Sequence, residues 1–400
     1  MISVGEGKKL IQETISNENT IEIEISNAVG YALANDIFAP IHFPSFRQSA
    51  MDGYAIRYED FLASNSFIVQ DEIQAGENAT IVLEKGNAIR IFTGAKVPDG
   101  ADTVVQQEAT EEIPTITNPN SKTINIQLAT FNSNIRSVGS QCKCNDLILK
   151  KGTSLQAGTI SLLANLGIQK INVFQKPRIC ILNTGKELLK LGNSLQDGKV
   201  YESNSFSLVH VLKQMHIDIT EISWVDDDLA KTIKAVEQAF LQCEFLLVTG
   251  GVSVGDYDFV LESLQQNNVE IIFHKLKQKP GKPLLFGKKE NKFIFGLPGN
   301  PASVLTCFYQ YVYPALRQYI GFSSVDLLKI NLSILNSYSK KAGLTHFLKA
   351  IVHEDTVEIL DHQESYKMNS FAVANALVEI DAEKEVVEKG ELVKVYVLPN

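Results

Sequence analysis

The stretch that decides the fold is Thr249-Gly250-Gly251-Val252-Ser253-Val254-Gly255-Asp256-Tyr257-Asp258. It follows a short apolar run and leads into a helix-like segment, and Gly296-Leu297-Pro298-Gly299-Asn300-Pro301 has the same setting further along the chain. Backbone N–H groups at a junction of strand, loop and helix can hold an anion. We therefore expect a phosphate or another oxyanion to bind at these loops, through Gly250, Gly251, Ser253, Gly255, Pro298, Gly299, Asn300 and Pro301.

Strands and helices alternate around these two loops. The expected strands cover residues 178–182, 217–224, 245–248 and 271–273, followed by a hairpin of residues 284–286 and 293–295. The expected helices cover residues 203–215, 229–242, 259–267 and 302–319. The alternation favours a three-layer α/β domain over residues 177–324, with a largely parallel sheet whose ligands lie beyond the carboxyl ends of the strands.

The segments before and after this domain follow other patterns. Strand-like runs separated by turn residues cover residues 67–69, 81–83, 88–92, 103–105 and 123–126, and predict an inserted β domain at 46–140. Helix candidates at 4–16 and 153–166 flank the insert, so a discontinuous helical or mixed domain is expected over 1–45 with 141–176. Strand-like runs at 330–335, 347–353, 357–360, 373–380 and 392–397 predict a small C-terminal β barrel at 325–400. The expected fold class is α/β plus β in several domains.

Composition narrows the functional classes. A length of 400 residues favours two to four domains, and the net charge of −9 argues against bulk nucleic-acid binding. Apolar runs fall short of the roughly 20 residues of a membrane helix, and the N-terminus lacks a signal-peptide pattern. The five cysteines are scattered, which suits reduced thiols. We expect a cytoplasmic protein without membrane or nucleic-acid partners.

A lysine cluster lies between the two glycine loops. Pro280 and Pro283 stiffen the segment, so Lys279 and Lys282 can face a common oxyanion at little entropic cost. The alternative is a solvated charged turn, which the two neighbouring anion-type loops make less favourable. The complete cluster is Lys275, Lys277, Lys279 and Lys282.

Four acidic residues complement these cations, namely Asp52, Glu187, Asp227 and Asp258. All but Asp52 follow the carboxyl ends of expected strands in the α/β domain, so they can converge on its ligand crevice. Carboxylates facing a phosphate-bearing ligand would repel it without a hard cation such as Mg²⁺. The alternative for each is a helix cap or a turn aspartate. The chain has no GxxxxGK[ST] phosphate loop.

Taken together, several ordered motifs resemble those of the molybdopterin molybdenumtransferase family, which inserts molybdate into adenylylated molybdopterin. The similarity runs from the first helix candidate to about residue 320. The motifs cover residues 49–55, 92–102, 183–188, 249–258, 279–283 and 297–301.

The resemblance implies an elongated, L-shaped homodimer in which residues 1–45 with 141–176 form the dimerisation domain. Asp52 and Thr93 would reach the site from the partner subunit. Glu187, Asp227 and Asp258 would serve the nucleotide phosphates and Mg²⁺, while Lys279 and Lys282 would bind molybdate. Lys275 and Ser365 would add substrate contacts. Molybdopterin adenylyltransferase and other proteins of the cofactor pathway are the implied protein partners.

Departures from the family pattern keep alternatives open. Leu344 and Lys349 stand where arginines are expected, Gln141 stands near a missing carboxylate, and Glu364 replaces a glycine before Ser365. Molybdate and tungstate both remain possible substrates. The gephyrin E domain resembles the same family, so a catalytically weak carrier or a protein scaffold is the alternative function. A molybdopterin adenylyltransferase is disfavoured because it needs only the α/β domain.

Overall fold

The computed structural model describes residues 1–77, 80–113, 122–252 and 259–399. The chain divides into two compact units. One contains residues 1–35, 151–161 and 169–400, and the other contains residues 36–150 and 162–168. Helix Ala157–Asn165 has residues in both. Across the described residues, none of the helices combines the length and apolar character that crossing a membrane requires.

A six-stranded sheet forms the centre of the first unit. Its strands, in spatial order, are Ile219–Val225, Ile179–Thr184, Phe245–Thr249, Lys292–Leu297, Leu285–Lys289 and Glu270–His274. The first four are mutually parallel, and the last three form antiparallel pairs. All residues of the strands Ile179–Thr184 and Phe245–Thr249 are buried, as expected when helices cover both faces of a sheet. The prediction of a largely parallel three-layer domain is confirmed.

The helices of this unit follow local start signals. Ser3 and Glu6 form a capping box before helix Val4–Thr14, and the Asp228 carboxylate accepts the backbone N–H of Lys231 to begin helix Leu229–Gln242. The other helices are Asn204–Gln214, Val260–Gln266, Pro301–Cys307 and Tyr313–Tyr319. A widened π turn, Phe308–Val312, joins the last two, so the helix expected at 302–319 is interrupted.

The C-terminal strands close a five-stranded barrel, which confirms that prediction. Its strands, in spatial order, are Thr345–Val352, Thr356–Ile359, Lys329–Ile334, Leu392–Val397 and Ala376–Ile380, which returns to the first. Val357, Val378 and Val395 lie in its apolar core. The two-residue strand Gln278–Lys279 adds to the barrel by parallel pairing with Thr345–His346. This pairing ties the expected lysine site to the barrel.

Short two-stranded pairs complete the first unit: Thr20–Glu24 with Lys170–Phe174, Leu188–Leu189 with Val200–Tyr201, and Tyr338–Ser339 with Val386–Val387. A 3₁₀ turn, Ile25–Asn27, follows the first of these strands.

A second six-stranded sheet forms the other unit, where the inserted β domain was expected. Its spatial order is Thr103–Gln106, Gly53–Ile56, Asn87–Ile91, Ser66–Ile73, Thr123–Ile126 and Thr110–Ile113. Small pairs join Gln48–Ser49 to Ile135–Arg136 and Ile37–Phe38 to Leu147–Leu149. Its helical pieces are Tyr58–Ala63 and the 3₁₀ turn Gln107–Ala109.

Two local predictions were wrong. Residues 81–83 form no strand, and only Val82 makes an isolated bridge to Asp99. The helix expected from residue 153 begins at Ala157, because Ser154 instead bridges Ala32. The four-domain division remains a prediction.

Candidate functional site

A cleft of about 830 Å³ lies where loops of the α/β domain meet loops of the barrel, all within the first unit. Eight of the candidate site residues predicted from the sequence line it: Glu187, Lys279, Lys282, Pro298, Gly299, Asn300, Pro301 and Ser365. They come from segments up to 178 positions apart in the chain, from 187 to 365. The fold therefore brings cations, a carboxylate and a helix start to one concave surface.

The lysine loop forms one side of this cleft. Lys279 and Lys282 are both exposed to it, and the strand pairing places Lys279 opposite His346. Burial lowers the pKa of His346 to about 4, with a further contribution from the positive charges of Lys340 and Lys279. The imidazole is therefore neutral near pH 7, and the positive charge on this side comes from the lysines.

The loop before helix Pro301–Cys307 forms a second side and is fastened to the barrel. The Asn300 side-chain amide donates to the Ser365 hydroxyl at 2.9 Å, and the backbone N–H of Ala302 donates to the Ser365 carbonyl at 3.1 Å. The helix start and the Ser365 loop are thus held together at the cleft. A charged ligand here would meet a hydroxyl and backbone dipoles in fixed positions.

A third side was missed by the sequence analysis. Glu202 is buried, and its carboxylate accepts the backbone N–H of Ser205 at 2.7 Å and the Ser205 hydroxyl. The Asn204 side-chain amide donates to the carbonyl of Gly299 at 2.9 Å, while its buried Oδ1 has no hydrogen-bond partner among the described residues. Both residues line the cleft. The available signal was a polar run between a short strand and a helix start, Glu202-Ser203-Asn204-Ser205.

The first glycine loop approaches the second. Gly250 has φ +81°, and a Cβ there would lie 2.7 Å from the carbonyl oxygen of Thr184, so a larger residue would clash. A Cβ on Gly299 would lie 3.9 Å from the Gly250 Cα, which shows how close the loops are. Gly251 also has positive φ, of +61°. The other site residues expected in this loop, Ser253, Gly255 and Asp258, lie outside the described residues.

The acidic residues of the α/β domain make different contacts. Glu187 lines the cleft, whereas Asp227 accepts the backbone N–H of Lys186 at 3.4 Å. The neighbouring Asp228 is the helix cap described above, which is the structural alternative weighed for this acidic run. Within the described ranges, no three His, Cys, Asp or Glu side chains are grouped so that they could hold a metal ion.

Asp52 and Thr93 contact each other in the second unit. The Asp52 carboxylate accepts both the backbone N–H and the hydroxyl of Thr93, each at 2.7 Å. These hydrogen bonds lower the pKa of Asp52, so this exposed carboxylate is ionised near neutral pH. The two residues expected to act together are thus neighbours.

Three other residues of interest have different locations. Lys275 has φ +79° and is not among the described residues that line the cleft. Leu344 does line the cleft, so an apolar side chain occupies the position where an arginine was expected. Lys349 is buried and donates to carbonyl oxygens of the loop that carries Ser365. It positions this loop and does not face the cleft.

Known protein families match consecutive parts of the chain. A family model described as the MoeA N-terminal region (domain I and II) matches residues 2–167, a probable molybdopterin binding domain matches 180–318, and the MoeA C-terminal region (domain IV) matches 332–398. The chain is 33% identical to the molybdopterin molybdenumtransferase of Haemophilus influenzae, with 97% of this chain and 96% of that protein covered. The chain belongs to the molybdopterin molybdenumtransferase family.

Further comparisons agree with this membership. The molybdopterin molybdenumtransferase of Staphylococcus epidermidis is 34% identical, over 87% of this chain and 83% of that protein. The crystal structure of the molybdopterin biosynthesis MoeA protein from Pyrococcus horikoshii OT3 superposes with a TM-score of 0.84 at 27% identity, covering 99% of this chain and 100% of that one. The family resemblance inferred from the motifs and the multidomain fold class are confirmed.

Proposed function

We propose that this protein is a transferase that inserts molybdenum from molybdate into adenylylated molybdopterin, with release of AMP. The observation that carries the proposal is the cleft in which Lys279 and Lys282 face the Pro298–Pro301 turn and Ser365. Relatives with the corresponding name cover nearly the whole chain.

The residues of the cleft suit this reaction. Molybdate is a tetrahedral dianion, and two exposed ammonium groups on a stiffened loop can bind it by charge-assisted hydrogen bonds. The Ser365 hydroxyl offers a polar contact for the phosphate or pterin end of the second substrate. In the proposed reaction an oxygen of molybdate adds to phosphorus as the phosphoanhydride bond to AMP breaks and AMP leaves. The two dithiolene sulfurs bind molybdenum in place of that oxygen and of a second one, which leaves as water with the thiol protons. Positioning and electrostatic stabilisation, without a covalent protein nucleophile, would account for the rate.

The proposal also includes a bound Mg²⁺ ion and a homodimer. Glu187 and Asp227 would need Asp258, which lies outside the described residues, to complete a carboxylate set for Mg²⁺, so no step is assigned to the ion. Asp52 and Thr93 would serve the cleft of a partner subunit. We further propose a cytoplasmic location, with molybdopterin adenylyltransferase as the protein that supplies the adenylylated substrate.

The activity test measures AMP released from adenylylated molybdopterin as the molybdate concentration is varied. Lys279→Ala removes a charge-assisted hydrogen bond worth roughly 1.5–3 kcal/mol, so the molybdate KM should rise roughly 10- to 150-fold. Lys277→Ala is the matched control, because Lys277 is exposed two residues earlier and is absent from the described lining of the cleft. Equal molybdate dependence in the two variants would remove Lys279 from the site.

The second candidate is a carrier or scaffold without catalysis, and the observation that favours it is the apolar Leu344 in the cleft. The same assay separates the two functions. Binding of adenylylated molybdopterin without AMP release would support the carrier. AMP release that depends on molybdate would reject it.

A further inference from the structure

Behind the lysine loop lies a buried hydrogen-bonded pair that the proposed mechanism does not use. Gln278 immediately precedes Lys279 and is fully buried, and Tyr311 is buried beside it. The Tyr311 hydroxyl donates to the side-chain oxygen of Gln278. The two residues are 33 positions apart in the chain, so this bond links the lysine loop to the helical segment that follows Pro301.

The other end of Gln278 holds the loop itself. Its side-chain nitrogen donates to the carbonyl of Pro280 at 3.0 Å and to the carbonyl of Gly281 at 3.2 Å. Burial raises the pKa of Tyr311, so the phenol remains protonated and available as a donor. Because the phenol donates to Oε1, Nε2 is left to face the two carbonyls. The tyrosine therefore fixes which way the amide of Gln278 points.

The loop packs tightly against these groups. Gly281 has φ +83°, and a Cβ there would overlap the sulfur of Cys307 and lie 2.8 Å from the Gln278 side-chain nitrogen. The Cys307 thiol also lies 3.7 Å from the Gly281 carbonyl oxygen. The backbone between the two lysines thus has little room to move toward the core.

Tyr311 belongs to the widened turn Phe308–Val312. Such turns interrupt a helix and often occur at functional sites. Both Gln310 and Tyr311, which are consecutive, are buried here. The interruption therefore coincides with the residue that reaches the back of the lysine loop.

We propose that Tyr311 and Gln278 are positioning residues that hold the Lys279–Lys282 loop in the shape that binds the oxyanion substrate. This inference rests on the proposed function for its substrate, but the loop geometry it describes can be measured without any reaction. Gln278 is among the described residues that line the cleft and Tyr311 is not, so Tyr311 acts through Gln278.

The first experiment compares hydrogen exchange of the loop amides in the wild type, Tyr311→Phe and Tyr309→Phe. Tyr309 is a second buried tyrosine of the same turn. Tyr309→Phe therefore removes a tyrosine hydroxyl from this turn but leaves the bond between Tyr311 and Gln278 in place. We expect the loop amides of Tyr311→Phe to exchange at least fivefold faster, and those of Tyr309→Phe to match the wild type. Equal exchange in all three proteins would overturn the proposal.

The second experiment measures molybdate-dependent AMP release by the same proteins. A displaced loop weakens oxyanion binding more than the later chemistry, so Tyr311→Phe should raise the molybdate KM about five- to tenfold and change kcat less than threefold. A fall in kcat at unchanged KM would overturn the positioning role. If the wild type releases no AMP, the proposed function fails, and the exchange measurement still decides the loop geometry.

A third variant, Gln278→Met, keeps the length of the side chain and removes its hydrogen bonds. It should reproduce the faster hydrogen exchange of the loop amides. The double variant with Tyr311→Phe should exchange no faster than Gln278→Met alone, because both changes break the same chain of hydrogen bonds. Additive effects would show that the two residues act independently and would overturn the proposal. If Tyr311→Phe does not fold, the loop exchange of Gln278→Met still tests whether this pair holds the Lys279–Lys282 loop.

Discussion

Replacing Lys349 by methionine tests how the Ser365 loop is held. The Lys349 ammonium is buried and donates to the carbonyls of His362 at 2.7 Å, Lys367 at 3.0 Å and Glu364 at 3.4 Å. Methionine fills a similar volume but leaves these carbonyl oxygens without that donor. The loop should therefore loosen although the barrel strands remain.

The magnitude follows from these bonds. A hydrogen bond to a charged group contributes roughly 1.5–3 kcal/mol, and two of the three have short distances. Part of this gain is offset by the cost of burying the ammonium, which also lowers the pKa of Lys349. We expect Lys349→Met to lower the free energy of unfolding by about 2–4 kcal/mol.

Urea denaturation at pH 7, followed by circular dichroism, measures this loss, and hydrogen exchange locates it in residues 362–367. Lys340→Met is the matched control in the same barrel, since Lys340 donates to one carbonyl, that of Ala382, at 2.8 Å. Because Lys340 is only half-buried, water can replace its one hydrogen bond, and the control should lose less than about 1 kcal/mol. The reasoning would be refuted if Lys349→Met lost no more unfolding free energy than Lys340→Met and if hydrogen exchange in residues 362–367 were unchanged.

Two further predictions concern stability. Burial lowers the pKa of Lys8 from 10.5 to about 8, so the unfolded chain binds the extra proton between these values and stability rises with pH in that window. The unfolding free energy of the wild type relative to Lys8→Met should be constant below pH 8 and increase by up to about 3 kcal/mol by pH 10.5, and a flat difference in chemical denaturation would contradict the burial of that ammonium. Gly53→Ala should destabilise by about 1–3 kcal/mol because its Cβ would overlap the carbonyl oxygen of Val105, whereas Gly5→Ala, with open space in a helix, should stabilise by about 0.5–1 kcal/mol. Thermal unfolding that ranks the two glycine variants in the opposite order would argue against these placements.

Much of the fold could be predicted because local signals agree with the tertiary structure. Helix Leu229–Gln242 has the bounds expected from the sequence, since Asp228 caps it and its apolar face packs on the sheet. The strands Thr123–Ile126 and Leu392–Val397 were likewise expected at their observed bounds. In each case alternation or helical spacing and the flanking turn residues indicate the same element.

Other features depend on contacts that a local pattern does not contain. Residues 81–83 are apolar enough for a strand, yet only Val82 finds a bridging partner. The widened turn Phe308–Val312 follows a continuous helical pattern in the sequence, and its buried side chains Gln310 and Tyr311 gain their partners from distant segments. Tertiary packing therefore determined that residues 81–83 form no strand and that the helix widens at Phe308–Val312.

Some residues of the candidate site could likewise be predicted from local motifs, whereas others could not. Glycine, proline and lysine motifs indicated Lys279, Lys282 and the Pro298–Pro301 turn, because their residue types are unusual at that spacing. Glu202 and Asn204 were missed because a polar run before a helix is ordinary capping chemistry. Their importance emerges only when the Gly299 carbonyl is seen beside Asn204.

The two-residue strand Gln278–Lys279 has a consequence for changes in chain length. Successive side chains of a strand point in opposite directions, and here Gln278 is enclosed while Lys279 is open to solvent. If one residue were inserted before Gln278 and the pairing of the preceding residues were kept, the alternation would be shifted by one. Gln278 would then point outward and Lys279 would point inward. An ammonium would then enter the interior and a neutral amide would replace it outside. We therefore expect natural or engineered variants to tolerate insertions on the outer turns of the barrel far better than at this junction.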